Sequence, residues 1–266
     1  MIKIFRKIRR SLLSENKFSK YFLYAVGEIV LVVIGILIAL SINNWNQYRN
    51  DAKREISYLN NLLIELDSNK DWSEFYIEFS KAQYEAANYL SDVINSKIDN
   101  VEIETFVDAV YRSHYLPHPN YSKNVWEELK STGDLSIIQN KNLTQSLSSY
   151  YNYLDYPVNL KKEWGLTHIK YRDLANEIID FDIVKKIADK RVKSNKIDNS
   201  VIESEFAVNR QQLNLMVEEF KAIDGIPGLL TDIFINRTVA EMTYKHILYE
   251  TSRVQAIIEK EIETLK

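Results

Sequence analysis

The sequence predicts an all-α protein in which an N-terminal transmembrane helix continues into a multi-helix extracytoplasmic bundle. Three observations carry that expectation. The chain has 266 residues but only six Gly and four Pro, and no Gly lies between Gly35 and Gly133, so the residues that punctuate sheets and tight turns are scarce. One stretch, Tyr21 to Ile42, is apolar over about 22 residues and carries a single charge, Glu28. After it, apolar residues recur at steps of three and four, the period of a helix rather than of a strand.

The apolar run YFLYAVGEIVLVVIGILIALSI spans roughly 33 Å at 1.5 Å per residue, against about 30 Å for the hydrocarbon core of a bilayer. Tyr21, Phe22 and Tyr24 at one end and Trp45 and Tyr48 at the other place amphipathic rings where the two interfaces would be. Lys3, Arg6, Lys7, Arg9, Arg10, Lys17 and Lys20 precede the run, whereas Arg49, Lys53 and Arg54 follow it, so the positive-inside bias puts the N-terminus in the cytoplasm. The resulting division is a basic cytoplasmic tail (1–20), a transmembrane helix (21–43) and a helical periplasmic domain (44–266). A cleaved signal peptide is the competing account, because Ala39 and Ser41 form a weak small-x-small site, but the run is longer than a signal's apolar core and ends in aromatic anchors. Within the tail, Ile4, Phe5, Ile8, Leu12 and Leu13 interleave with Arg and Lys, a pattern that suits an anionic membrane surface as well as a topology signal.

The segment RKIRRSLLSENKFSKYFLYAVGEIVLVVIGILIALSINNWN, residues 6–46, resembles the N-terminus of a large family of uncharacterised bacterial membrane proteins, a domain of unknown function. WEELKSTGDLSIIQNKNL, residues 126–143, resembles that family's second recurring segment. The family often has Gln where this chain has Ser41. The resemblance implies a single-pass protein of the bacterial inner membrane. It brings no assigned activity, and so no catalytic residues to transfer.

Beyond the span, Ala52, Ile56, Leu59, Leu63 and Leu66 form one stripe and Trp72, Phe75, Phe79, Ala82, Ala86, Tyr89 and Val93 a second. The step from Leu66 to Trp72 is out of phase with both, which predicts a kink or break at Asp67 to Asp71, where Asp, Ser and Asn can cap a new helix. Short helices are expected over Ile103–Ser113 and Lys123–Ser131, separated by HYLPHPNYS, whose Pro117 and Pro119 forbid a continuous helix. Gly133 should end the second. Further helices are expected at Asn142–Asp155, at Val158 to about Phe181, at Val201–Phe220 and, past GIPG, at Thr231–Leu265, with residues 185–200 as a linker or exposed hairpin. In the last helix Tyr244, Ile247, Thr251, Val254 and Ile258 mark the face that packs on the bundle.

Chemistry-bearing patterns are sparse. The chain has no cysteine, which excludes disulfides, thiolate catalysis and Cys-ligated metal sites, and a net charge of −3 argues against nucleic acid as a partner. No GxGxxG, Walker loop, GxSxG, HExxH or EF-hand pattern occurs, so neither an enzyme nor a cofactor is expected. His114 and His118 have the helical spacing of a metal pair, but Pro117 puts them in a loop. His168 shares a face with Trp164 and Tyr171 and reads as a hydrogen-bonded core histidine. Tyr150, Tyr151, Tyr153 and Tyr156 beside Trp164 offer rings with polar tips for a ligand, though packing is the stronger reading. Glu127 and Glu128 point about 100° apart on a helix and make a poor acid/base pair. In WEELKSTGD, Trp126 and Leu129 should bury, Gly133 turn and Asp134 start the next element.

Glu28 exceeds a bland explanation, because an acidic group at the centre of a bilayer costs about 2.5 to 3.5 kcal/mol. It shares one face with Val32, Gly35 and Ala39, where Gly35 and Ala39 form a small-xxx-small pair, while Ile29, Val33, Leu37 and Leu40 suit lipid. That face is the expected contact with a second copy or another membrane protein. The whole reads as a non-enzymatic interaction or scaffold module of the cell envelope, with a sensing or energy-coupling accessory subunit that uses Glu28 as the alternative.

Overall fold

The computed structural model describes residues 18–179, 182–185 and 210–266, and contains helices and no strand among them. Helix α1 is Phe18–Ile94, α2 Ile103–His114, α3 Asn124–Thr132, α4 Lys141–Tyr153, α5 Tyr156–Asn176, α6 Arg210–Ala222 and α7 Ile226–Leu265; a short 3₁₀ helix, Asp134–Ile137, joins α3 to α4. Packing divides the chain within α1, into residues through Tyr58 and residues from Leu59 to Thr264. Hydropathy divides it earlier, at Asn43, because it follows side-chain polarity and not contact. The basic tail lies outside the described residues, as do Phe181, residues 186–200 and residues 201–209 of the expected sixth helix.

In the first unit α1 is exposed along its apolar stretch, from Phe22 at 70% to Trp45 at 64%. Its most apolar 18 residues have a mean hydropathy of 2.7, and none of them is buried. This one helix is long and apolar enough to cross a membrane.

In the second unit the expected break at Asp67 to Asp71 is absent, since α1 continues for 77 residues. Its buried positions are Leu59, Leu62, Leu66, Asn69, Ser73, Tyr76, Ser80, Gln83, Ala87 and Leu90, an unbroken alternation of threes and fours. Four of these positions are polar. An apolar count therefore loses the stripe after Leu66 and finds it again only at Ala87. Phe75, read from sequence as part of the second stripe, is 43% exposed instead.

Helix α7 carries the complementary seam: Ile226, Leu230, Ile233, Arg237, Ala240, Tyr244, Ile247, Thr251, Val254 and Ile258, again at threes and fours and all buried. The two helices run antiparallel. Asp67 meets Gln255 (2.6 Å), the Tyr76 ring stacks on Tyr244 (5.0 Å), Gln83 meets Arg237 (3.1 Å) and the Tyr84 ring meets Phe234 (5.8 Å). At the far end Phe106 of α2 packs edge-on against Phe220 of α6, and Ala87, Leu90, Leu213, Val217, Leu230 and Ile233 complete an apolar core.

Helix starts explain two further differences. Both α5 and α7 begin earlier than expected, with Pro157 and Pro227 inside their first turns, where a missing N–H loses no helical bond. Gly225 (φ 83°) leads into α7 and Gly133 (φ 78°) closes α3, both in the left-handed region that favours glycine. Trp126 and Leu129 bury and Asp134 opens the 3₁₀ helix, as the sequence indicates. Asn140 caps α4, its Oδ1 accepting from the Asn142 and Leu143 amides at 3.1 Å.

The continuity of α1 is testable at its polar middle. In full-length protein in detergent, Ser68→Pro should lower unfolding stability by about 3 kcal/mol or more, because it removes a helical bond and clashes one turn back. Unchanged denaturation midpoints would restore the break.

Candidate functional site

The polar positions of α1 hold the segment that joins α2 to α3. Pro117 and Pro119 are buried, extended backbone without N–H groups, so that loop cannot satisfy its polar atoms by folding on itself. Helix α1 supplies the partners. The Tyr76 hydroxyl donates to the His118 carbonyl (2.7 Å) and accepts from the Asn120 amide (2.9 Å). Asn69 makes a reciprocal pair with the Ser122 backbone, accepting from its N–H at 2.7 Å and donating to its C=O at 2.9 Å. The Ser73 and Tyr121 hydroxyls lie 3.2 Å apart.

Both helix ends that flank the loop are capped from outside. Lys123 makes no side-chain cap for α3; instead the Glu65 carboxylate accepts from the Val125 amide (2.9 Å), from Ser122 Oγ (2.8 Å) and from the Tyr151 hydroxyl (2.6 Å). A buried anion at a helix N-terminus satisfies an orphan donor and lies at the positive end of the dipole. At the other flank, Gln83 Nε2 donates to the carbonyls of Arg112, at 2.6 Å, and of Tyr115, which close α2. Burial, and then the Glu65 carboxylate, hold the Tyr151 hydroxyl well above the ordinary tyrosine range, so it stays a donor. Its ring stacks on Trp126 at 5.1 Å.

Deeper in the unit sits Arg237, 1% exposed. Its Nη1 donates to Gln83 Oε1 (3.1 Å), its Nη2 lies 3.3 Å from His168 Nε2, and its guanidinium covers the Trp164 ring at 5.4 Å. Arginine can only donate, so His168 Nε2 is the acceptor and the ring's proton is on Nδ1, which donates to the His114 carbonyl at 3.2 Å. Burial first, and the neighbouring guanidinium second, push the His168 imidazole down to about 3. Both its nitrogens are occupied and it is neutral, the core histidine expected from sequence. Burial lowers Arg237 itself to about 10, which leaves it charged at neutral pH. The Arg237 Nε–H has no acceptor, and neither does buried Ser80 Oγ have a partner.

The remaining residues singled out from sequence are placed as follows. On the apolar helix Val32 is 58% exposed, a Cβ added at Gly35 would meet nothing within 4 Å, Ala39 is exposed and Glu28 is half-buried; Ile29 and Leu37 on the opposite side are as open as Val32. Tyr150 and Tyr151 are core residues, and Tyr153 stacks with Tyr156 (5.5 Å) and meets the His246 ring (4.7 Å). His114 ends α2 and His118 is in the loop, 3.4 Å from Lys161 Nζ; no group of three or more His, Asp or Glu among the described residues is arranged to hold a metal. Glu127 pairs with Lys130 at 2.8 Å. Sequence reasoning missed Glu65, Asn69, Gln83 and Arg237, because a polar residue at a core position looks like an exposed one unless its helical phase is already known.

Residues 28–122 match DUF6090, a family of unknown function. No curated protein and no solved structure matches the chain. The DUF6090 match begins at Glu28 and ends at Ser122, the residue that Asn69 and Glu65 hold, so it takes in α1 from the apolar stretch onward, α2 and the clamped loop. It stops before Trp126, leaving the second segment of the expected resemblance outside.

His168 gives the DUF6090-type unit a defined pH response. Between about pH 6.5 and pH 3 the unfolded chain binds a proton that the folded imidazole refuses, so stability is complete above the ordinary histidine value and falls as the pH drops. The loss should reach about 2 kcal/mol at pH 5. His168→Gln can keep both hydrogen bonds without titrating. Denaturant unfolding at pH 7 and pH 5 should show a smaller difference for the variant by roughly that amount; equal differences would mean that His168 is protonated in the fold.

Proposed function

We propose that this chain is a single-pass protein of the bacterial inner membrane, with α1 crossing the bilayer over residues 21–43, the N-terminus cytoplasmic and the helical remainder a periplasmic interaction or scaffold module without catalytic activity. The observation that carries the reading is the apolar stretch of α1, which has a mean hydropathy of 2.7 over 18 residues and no burial, where a soluble protein's core helix would be covered. The flanking charge asymmetry supports the orientation. In the periplasmic part the titratable groups drawn into the interior, Glu65 and His168, have their acceptor and donor sites taken up by structural partners, which supports a binding role over a chemical one.

Contact with a second copy or another membrane protein runs through Glu28, Val32, Gly35 and Ale39's neighbour face as completed by Ala39, where the small residues let a partner backbone approach. A second reading, a sensing or energy-coupling accessory subunit, is favoured by Glu28 alone, because a carboxylate within an apolar run is maintained against a cost.

Topology and contact are tested separately. The chain has no cysteine, so Lys162→Cys, on an exposed position of α5, introduces a single thiol. It should be labelled in intact cells by a reagent that enters the periplasm and cannot cross the inner membrane; labelling only after that membrane is broken would put the domain in the cytoplasm. In a membrane two-hybrid assay Gly35→Ile should reduce association on the order of tenfold relative to Leu37→Ile on the lipid side, because the close approach is lost. Equal signals for the two variants would rule out this face.

A further inference from the structure

We propose that the core of the helical unit binds a small monovalent anion, of the size and charge of chloride, against the Nε edge of Arg237. Three independent observations meet there. The first is charge: a fully buried guanidinium has Gln83, His168 and the Trp164 ring as its partners, all neutral, and no carboxylate pairs with it among the described residues. The C-terminal end of α2 carries about half a negative charge, and Arg237 reaches it only through the Gln83 and His168 dipoles. Arginine does not escape burial by deprotonating at neutral pH, so an unpaired one calls for a counter-ion.

The second is the pair of unused polar atoms. Nε–H of Arg237 is a donor without an acceptor, and Ser80 Oγ is buried without a partner. The acceptors offered to Arg237 are fixed by their other bonds: Gln83 Nε2 is committed to the Arg112 and Tyr115 carbonyls, and His168 Nδ1 to the His114 carbonyl. Neither can turn to serve Nε.

The third is the register of α1 against α7. The Tyr76–Tyr244 stack and the Gln83–Arg237 bond bracket one further layer, in which Ser80 falls opposite Ala240. That layer pairs two small residues between two large ones, and it lies next to Nε. Donors predominate there and the net charge is positive, so a monatomic anion suits it in size and sign, whereas a larger ligand would find Arg237 closed to solvent.

The test uses full-length protein in detergent, melted in sodium chloride and in sodium gluconate at matched ionic strength. Chloride should raise the melting temperature saturably above gluconate. Arg237→Gln should abolish that difference, and Ser80→Ala should move the chloride midpoint to about fivefold higher concentration, the worth of one neutral hydrogen bond. Coincident chloride and gluconate curves, or a chloride-specific rise that survives in Arg237→Gln, would overturn the site. Should Arg237→Gln fail to fold, crystals of the wild-type chain grown in bromide decide the matter: an anomalous peak within hydrogen-bond distance of Nε is expected, and a water there, or nothing, overturns the proposal.

Discussion

A loop with two prolines cannot hold its own shape, and the way its backbone is satisfied governs much of the helical unit. Pro117 and Pro119 remove two donors and forbid helix, so the segment between α2 and α3 must take its hydrogen bonds from elsewhere. Asn69, Tyr76 and Gln83 on α1 provide them, with Glu65 capping α3 and Gln83 closing α2. These contacts fix where α2 and α3 start and stop. They also decide which face of α1 points inward, because the same face must present apolar residues above and below.

That requirement explains what could be read from the sequence and what could not. The all-α class, the loop at Pro117 and Pro119, the turn at Gly133 and the buried face of α7 were legible, since each rests on residue types whose local physics is strong. The continuity of α1 was not. Its seam passes through Asn69, Ser73, Ser80 and Gln83, and a pattern scored on apolar residues jumps to the neighbouring Phe75 and Phe79 face, which creates an apparent phase slip where the helix runs straight. On α7 the polar intrusions at Arg237 and Thr251 are single and more widely separated, so the period survives them. The starts of α5 and α7 were misplaced for a different reason: proline breaks a helix interior but fits a first turn, and the residue type alone does not say which it occupies.

The polar seam is an expensive way to join two helices. A buried hydrogen bond contributes about 1 kcal/mol net, less than burial of a leucine side chain at about 1.5 to 3 kcal/mol, and each polar group becomes a liability if its partner is lost. The seam gains discrimination in exchange. Helices with heptad stripes can slide by seven residues and still bury apolar surface; a slide of α1 would bring Asn69 to the place of Tyr76 and leave the carboxylate of Glu65 without the Val125 amide, the Ser122 hydroxyl and the Tyr151 hydroxyl. The register with the amides and carbonyls of residues 112–125 is then the one with every group matched.

Arg237 belongs to the same logic, carried one layer further. Gln83 faces the loop with its amide nitrogen and α7 with its amide oxygen, so a single side chain orients both partners; His168 does the same with its two ring nitrogens. Each is thereby held in one state, the amide unable to flip and the imidazole unable to take a second proton. Fixed acceptors of this kind can position a guanidinium but cannot neutralise it, because a dipole offsets a charge only in part. The charge that remains at the Ser80–Ala240 layer is therefore a property of the network's wiring and not of any one residue: replacing a neutral member by another neutral group would leave it in place, and only an anion entering from outside the chain, or loss of the guanidinium itself, would remove it.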